Sequence, residues 1–270
     1  MEEQLVVLGT GNAMSLNYYN TCFAMQKGED YFLVDAGGGN GILVQLQKAG
    51  IPMKAIRHMF ISHAHSDHVL GALWVIRVIG NGMLSGSYPG VFTVWCAPVI
   101  WQFLTDAARL TLIPGINRLL GERILFRGVG DGMRAEILGY TVSFMDIHSN
   151  KLEQHAFTLK LSGGGKLSFL GDEPCRETCL KLIEQSEWLL SEAFCLYAHR
   201  ARFRPYEKHH ATVKDACELA ERLQIPNLLL WHTEDETFGQ RQALYLLEGR
   251  KYYSGRLFVP QDLTRIPLNA

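Results

Sequence analysis

The six cysteines of the chain (Cys22, Cys96, Cys175, Cys179, Cys195, Cys217) form no C-x-x-C pair, and the sequence holds neither a G-x-S-x-G nor a G-x-x-x-x-G-K segment. Each absence removes a class of protein. Scattered cysteines argue against a disulfide framework and for a reducing compartment, with the thiols read as small buried hydrophobes. Without the strained serine elbow or the phosphate-cradling glycine loop, serine-hydrolase and NTPase readings lack their signatures. The longest apolar stretch, 91–104, is interrupted by Pro98 and Gln102 and falls short of a membrane span. The acidic start, Met1-Glu2-Glu3-Gln4, runs straight into a strand rather than a signal peptide, so a soluble, cytoplasmic protein with no membrane partner is expected. Charge of one sign is also missing. Lys plus Arg number 26 against 27 for Asp plus Glu, net −1 over 270 residues, which leaves no overall field with which to coat nucleic acid. At 47% hydrophobic and 20% charged, the chain is neither disordered nor fibrous. What it has in excess is histidine, ten copies of the commonest metal-ligating side chain.

Patterning places short strands at 5–8, 22–25, 31–34, 57–62, 91–96, 124–126, 136–138, 141–146, 155–161, 166–170, 188–190, 227–231 and 257–259. Helices are expected at 42–48, 68–79, 100–112, 174–184, 213–223 and 239–247, the fourth carrying Cys175 and Cys179 one turn apart. Hairpins come first and βα units afterwards in both halves. That order predicts two mixed sheets with helices outside, in one compact domain spanning 1–270.

The chemistry concentrates at Ser62-His63-Ala64-His65-Ser66-Asp67-His68, three imidazoles and a carboxylate directly after an apolar strand. In an extended backbone His63, His65 and Asp67 point the same way, while His68 is free to reach a different position. So many ligands in so short a span suit two adjacent ions rather than one tetrahedral ion; paired ions of this kind lie ~3.5–4 Å apart. One motif supplies at most four ligands, and the remaining candidates are polar residues that end apolar runs: His148, Asp172 and His232.

This series, His63-x-His65-x-Asp67-His68 with His148, Asp172 and His232, resembles the ligand set of the metallo-β-lactamase fold hydrolases. The resemblance implies a four-layer αββα sandwich with two metals at one edge of the sheets. By it, His63, His65 and His148 would hold the first ion, Asp67, His68 and His232 the second, and Asp172 would bridge them. Asp67 would also orient the water between the ions, and Asp35, before the first glycine-rich turn, would support the ligands from behind. Within the superfamily the chain is most similar to the ribonuclease Z branch. Leu8-Gly9-Thr10-Gly11 with Asn20, and Leu33-Val34-Asp35-Ala36-Gly37, resemble its opening; Ser191-Glu192-Ala193 resembles its His-Glu-Ala-Thr segment; His210-Ala211-Thr212 resembles its His-Ser-Thr loop. The resemblance implies that His210 protonates the leaving oxygen of a phosphodiester, oriented by Glu192, and it leans toward a homodimer.

Three departures accompany it. Only 23 residues separate His148 from Asp172, where ribonuclease Z enzymes carry a protruding tRNA-binding arm. Ser191 and Phe194 replace the first His and the Thr of His-Glu-Ala-Thr, and the loop Met14 to Asn20 lacks the Pro and Arg expected there. The basic loop before His210 holds Arg200, Arg202, Arg204 and Lys208 against one Glu, and reads either as a substrate-phosphate contact, together with Thr212, or as a solvated loop. His58 and His155 read as structural. The expectation is a dinuclear metal-dependent phosphodiesterase acting on RNA ends, nucleotides or small phosphodiesters, with zinc first and manganese or iron also suited to the ligands. A thioester or lactone hydrolase with the same centre is the alternative, and a metal-dependent binding module without catalysis the second.

Overall fold

A computed structural model describes residues 3–268 and contains two seven-stranded mixed sheets packed face to face. The first sheet uses β1 (Glu3–Gly9), β2 (Cys22–Lys27), β3 (Asp30–Val34), β4 (Ile56–Ile61), β5 (Phe92–Cys96) and β6 (Ile124–Gly128). Its order is β14-β1-β2-β3-β4-β5-β6, with the short β14 (Arg265–Pro267) antiparallel along the β1 edge. The second sheet uses β7 (Arg134–Ile137), β8 (Tyr140–Asp146), β9 (His155–Lys160), β10 (Lys166–Phe169), β11 (Trp188–Glu192), β12 (Asn227–Trp231) and β13 (Arg256–Phe258). Its order simply reverses the chain, β13 to β7. In each sheet antiparallel pairs come first in sequence and parallel pairs follow, from β3 onward in one and from β10 onward in the other.

The strands read as near-continuous apolar runs because both of their faces are buried. Successive side chains go to opposite faces. Leu5 and Val7 of β1, Phe23 and Met25 of β2 and Phe60 of β4 enter the core between the sheets. There they meet Phe157, Phe169 and Trp231, with Phe23 and Trp231 stacked at 4.9 Å. The alternate residues, Val6, Leu8, Ala24, Met59 and Ile61, face outward onto α1 (Gly41–Lys48), α2 (Ser66–Leu84) and α3 (Pro98–Thr111). On the other side Leu189, Leu228 and Leu230 pack against α5 (Glu177–Ile183), α7 (Val213–Arg222) and α8 (Arg241–Gly249). The result is the expected four-layer αββα sandwich.

The structure shifts some expected boundaries. The helix expected at 174–184 begins only at Glu177, with Arg176 extended as its N-cap, so Cys175 lies before the helix rather than one turn from Cys179 on it. The helix expected from 239 starts at Arg241, after Gly239 at φ +81°. Strand β14 escaped the pattern because three residues with a terminal proline carry no readable alternation. Short helices α4 (Pro114–Asn117) and α6 (Arg200–Phe203) went unanticipated for the same reason of length.

One close approach positions the site. Helix α2 is pressed onto the loop after β3: the Ala36 amide donates to the His68 carbonyl at 3.0 Å, and the Gly71 amide to the Gly37 carbonyl at 2.8 Å. A Cβ at Gly71 would overlap the Ala36 carbonyl oxygen, which is backbone and cannot swing aside. Gly71→Ala therefore costs about 1–3 kcal/mol of unfolding free energy, the range for forcing an extra methyl into a close-packed interface. Urea denaturation checks this, and a midpoint equal to wild type would show that α2 does not need this contact.

Candidate metal centre

The site forms where chain segments leave the carboxyl ends of the strands, the usual place for ligands in parallel sheets. Asp35 follows β3, His63 follows β4, Asp172 follows β10, Glu192 ends β11 and His232 follows β12. Asp35 and His232 leave their strands at positive φ, 55° and 56°, in the left-handed region that non-glycine residues seldom occupy.

Two clusters of metal-binding atoms lie side by side. His63, His65 and Asp172 form one, and Asp67, His68 and His232 the other, with the ligand atoms of each within 4.8 Å of one another. In the first, His63 Nε2 and His65 Nδ1 converge to 2.8 Å. In the second, His68 Nε2 lies 3.4 Å from Asp67 Oδ2. Asp172 Oδ2 stands between the clusters, 3.5 Å from His63 Nε2, 3.5 Å from His232 Nε2 and 3.8 Å from His68 Nε2. All these residues except His65 are buried, and His65 is half-buried. Burial works against charge on Asp172, yet the three imidazoles around it hold its carboxyl well below the usual range. Burial similarly lowers His232 to about 3, so it stands neutral with a lone pair available.

Asp35 fixes the second cluster from behind. Its carboxylate accepts the Ser62 amide and hydroxyl, each at 2.8 Å, and lies 2.8 Å from His68 Nδ1. That contact directs the proton of His68 to Nδ1 and turns Nε2 inward. His68 Nε2 is buried and has no hydrogen-bond partner in the protein. A buried imidazole nitrogen without a hydrogen bond, set between the carboxylates of Asp67 at 3.4 Å and Asp172 at 3.8 Å, fits the donor set of a divalent-ion site. The imidazole and carboxylate donors fit zinc, manganese or iron.

His148 is the expected ligand that the structure does not bring into either cluster. It lies at φ +55° just beyond β8, its ring about half exposed, with Nδ1 3.4 Å from Asp146 Oδ2 and its amide donating to Asp146 Oδ1. The neighbouring carboxylate, rather than the core, orients this ring. Glu192, fully buried, accepts the Ala211 amide at 2.6 Å, and His210 Nδ1 lies 3.1 Å from its Oε2 and 3.0 Å from the Asp172 carbonyl. Burial pushes the Glu192 carboxyl up to about 7. Burial opposes charge on His210 as well, but Glu192 prevails and raises it above an ordinary imidazole. Phe194 stacks flat on the His210 ring at 4.9 Å.

A cleft of about 600 Å³ opens over both clusters. None of the three loop arginines lines it: Arg200 lies over the Tyr197 ring at 3.8 Å, Arg202 pairs with Glu236 at the cleft wall, and Arg204 pairs with Glu207. Thr212 caps α7 in a reciprocal box with Asp215. The cations that do line the cleft are Lys208, the lysine of that basic loop, and Lys151, which the sequence pattern did not single out. Ser62 and Gln154 were also missed. Both sit beside ligands, and a polar residue buried at a strand end was the available signal.

Comparison with known proteins bears on the fold. A family model described as "Anti-Pycsar protein Apyc1" matches residues 3–78. A ribonuclease Z of Thermococcus sibiricus is 24% identical, with 98% of this chain and 96% of that protein covered. Among solved structures, the metallo-β-lactamase fold protein YhfI of Bacillus subtilis superposes at a TM-score of 0.78, with 16% identity over 98% of this chain and 99% of the other. The short form of human tRNase Z follows at 0.76 and 17% identity, over 99% of this chain and 100% of the other. The chain has the metallo-β-lactamase fold. The fold and the two donor clusters together imply divalent metal ions. No helix among the described residues is long and apolar enough to cross a membrane.

Metal binding should therefore stabilise the protein by mass action. Adding Zn²⁺ to chelator-treated protein at a hundred times its dissociation constant is expected to contribute about 2.7 kcal/mol, read as a rise of several degrees in Tm. Asp172→Ala should abolish the rise, and an unchanged Tm in the wild type would contradict the metal assignment.

Proposed function

We propose that this metal-dependent hydrolase, a single domain, cleaves phosphodiester bonds in RNA ends, nucleotides or small phosphodiesters with two divalent ions, zinc by preference. His63, His65 and Asp172 would hold one ion, and Asp67, His68 and His232 the other. His148, which the family resemblance would add to the first set, lies outside both clusters. Bound in those clusters, the ions supply Lewis acidity toward the phosphoryl oxygens and lower the pKa of water.

The observation that carries the reading is the His210–Glu192 pair beside the Asp172 loop. Nδ1 of His210 is engaged by Glu192 and by the Asp172 carbonyl, so Nε2 is the atom left to deliver a proton in the cleft. An alkoxide leaving from phosphorus needs that proton, and a positioned acid is worth typically about 10²–10⁴-fold. A thiolate leaving from a thioester does not, which favours the phosphodiester over the thioester. Lys151 and Lys208 supply positive charge for the phosphate. Lys151 is held by Glu173, which also accepts the Ser149 hydroxyl at 2.6 Å. Asp67 would orient the attacking water, with Asp172 facing both clusters.

Between His148 and Asp172 the chain makes one loop and the β9–β10 hairpin, closed over Ser162 to Gly165, with no arm to grip a large RNA. This favours small or terminal phosphodiesters over tRNA precursors. The six free cysteines support a reducing, cytoplasmic setting. The exposed Val99, Trp101 and Phe103 of α3 support a homodimer.

The test is a leaving-group series. His210→Ala should lower kcat about 10²–10⁴-fold on a dinucleotide, whose leaving group is an alkoxide, with metal content unchanged. On a p-nitrophenyl phosphodiester, whose leaving group needs little protonation, the loss should be much smaller. Equal losses on both substrates, or none, would rule out His210 as the acid. A second comparison sets a small diester against a tRNA precursor: kcat/KM should favour the small diester, and efficient precursor processing would reverse the size preference.

A further inference from the structure

The two oxygens of Asp172 have different surroundings. Oδ2 faces the Nε2 atoms of His63, His232 and His68 at 3.5–3.8 Å. Oδ1 accepts a hydrogen bond from the side-chain amide of Gln154 at 2.9 Å. Gln154 is 1% exposed and sits one residue before β9, where its carbonyl accepts the Ile147 amide at 3.1 Å and its backbone bridges to His63. The amide is also walled in. Gly171, at φ +81°, lies so close that a Cβ there would run into Gln154 Nε2.

We infer that Gln154 is a positioning residue that commits Asp172 to facing both metal clusters with one oxygen. The inference rests on the metal reading above. With both oxygens free, a carboxylate can turn about its Cβ–Cγ bond and grip a single ion with its pair of oxygens, deserting the other. A donor held on Oδ1 blocks that rotation. An amide does so as a neutral group, whereas a second carboxylate at this position would repel Asp172 and compete for the ions. Hydrogen bonds to ligating carboxylates are worth about 10–100-fold in metal affinity. Here the loss should fall unequally, since only one of the two clusters is deserted.

The test uses Gln154→Met, close in shape but without the donor, and Gln154→Glu, the same size with the wrong charge. Zn²⁺ is titrated into chelator-treated full-length protein against a chromogenic chelator, and the apo Tm is measured in parallel. The expected result is one tight ion retained and the second weakened about 10–100-fold in Gln154→Met, more in Gln154→Glu, with little change in apo Tm. Two ions bound within twofold of wild type would overturn the role of Gln154. So would a fall in apo Tm without a change in affinity, which marks a purely structural contact. Should Gln154→Met fail to fold, Gln154→Glu carries the same comparison. A wild-type protein that binds no Zn²⁺ would overturn the metal reading itself and is a separate outcome.

Discussion

Much of this molecule hangs on one buried carboxylate. Asp35 joins the end of β3 to the end of β4 through two hydrogen bonds from Ser62, and to the start of α2 through His68. Those three segments carry His63, His65, Asp67 and His68, so a single side chain sets the spacing of four potential ligands. Ser62 extends the connection, its hydroxyl lying 2.9 Å from His63 Nδ1. A polar group at 1% exposure is costly unless its hydrogen bonds are made. Here the pairing also decides which nitrogen of His68 is left for a metal.

The other sheet answers with its own buried acid. Glu192 holds His210 as Asp35 holds His68, a carboxylate at the end of a parallel strand fixing an imidazole on the next segment. The two histidines differ in what their free nitrogens face. Nδ1 is engaged by a carboxylate in both, but His68 Nε2 lies beside Asp67 and Asp172, whereas the His210 ring lines the cleft with a phenyl ring stacked on its face. Behind His232 a third arrangement operates. The buried guanidinium of Arg241 donates to Thr233 at 2.9 Å and to Thr10 at 2.8 Å, tying the turn after β1 to the loop that carries the histidine.

What the sequence made legible follows from period and density. The apolar strand runs and the compressed His-x-His-x-Asp-His string are local patterns, and two mixed sheets with helices outside could be read from them, while the αββα layering and the grouping of the ligands followed from the family resemblance. Residues ending apolar runs were legible for the same reason, since a strand end in a parallel sheet is where side chains meet. Side-chain direction was not. His148 satisfies every positional criterion, yet Asp146 two residues earlier claims its ring. The arginines of the loop 199–209 each find a nearby partner, and Lys208, an unremarkable member of the same run, reaches the cleft instead. Gln154 illustrates the remaining gap. Its meaning depends on an aspartate eighteen residues away across a hairpin, a contact no single-sequence pattern announces.

The left-handed residues at the strand exits have an evolutionary side. Asp35, His148 and His232 hold a conformation that costs a side-chain-bearing residue roughly 1 kcal/mol or more and that glycine adopts freely. Asp35 holds β3, β4 and α2 together and cannot be spared, but at His232 a lineage released from the need for the imidazole would relieve this backbone strain with glycine. Glycine appearing at position 232 in a related chain would mark a protein that has kept the sandwich and given up its site.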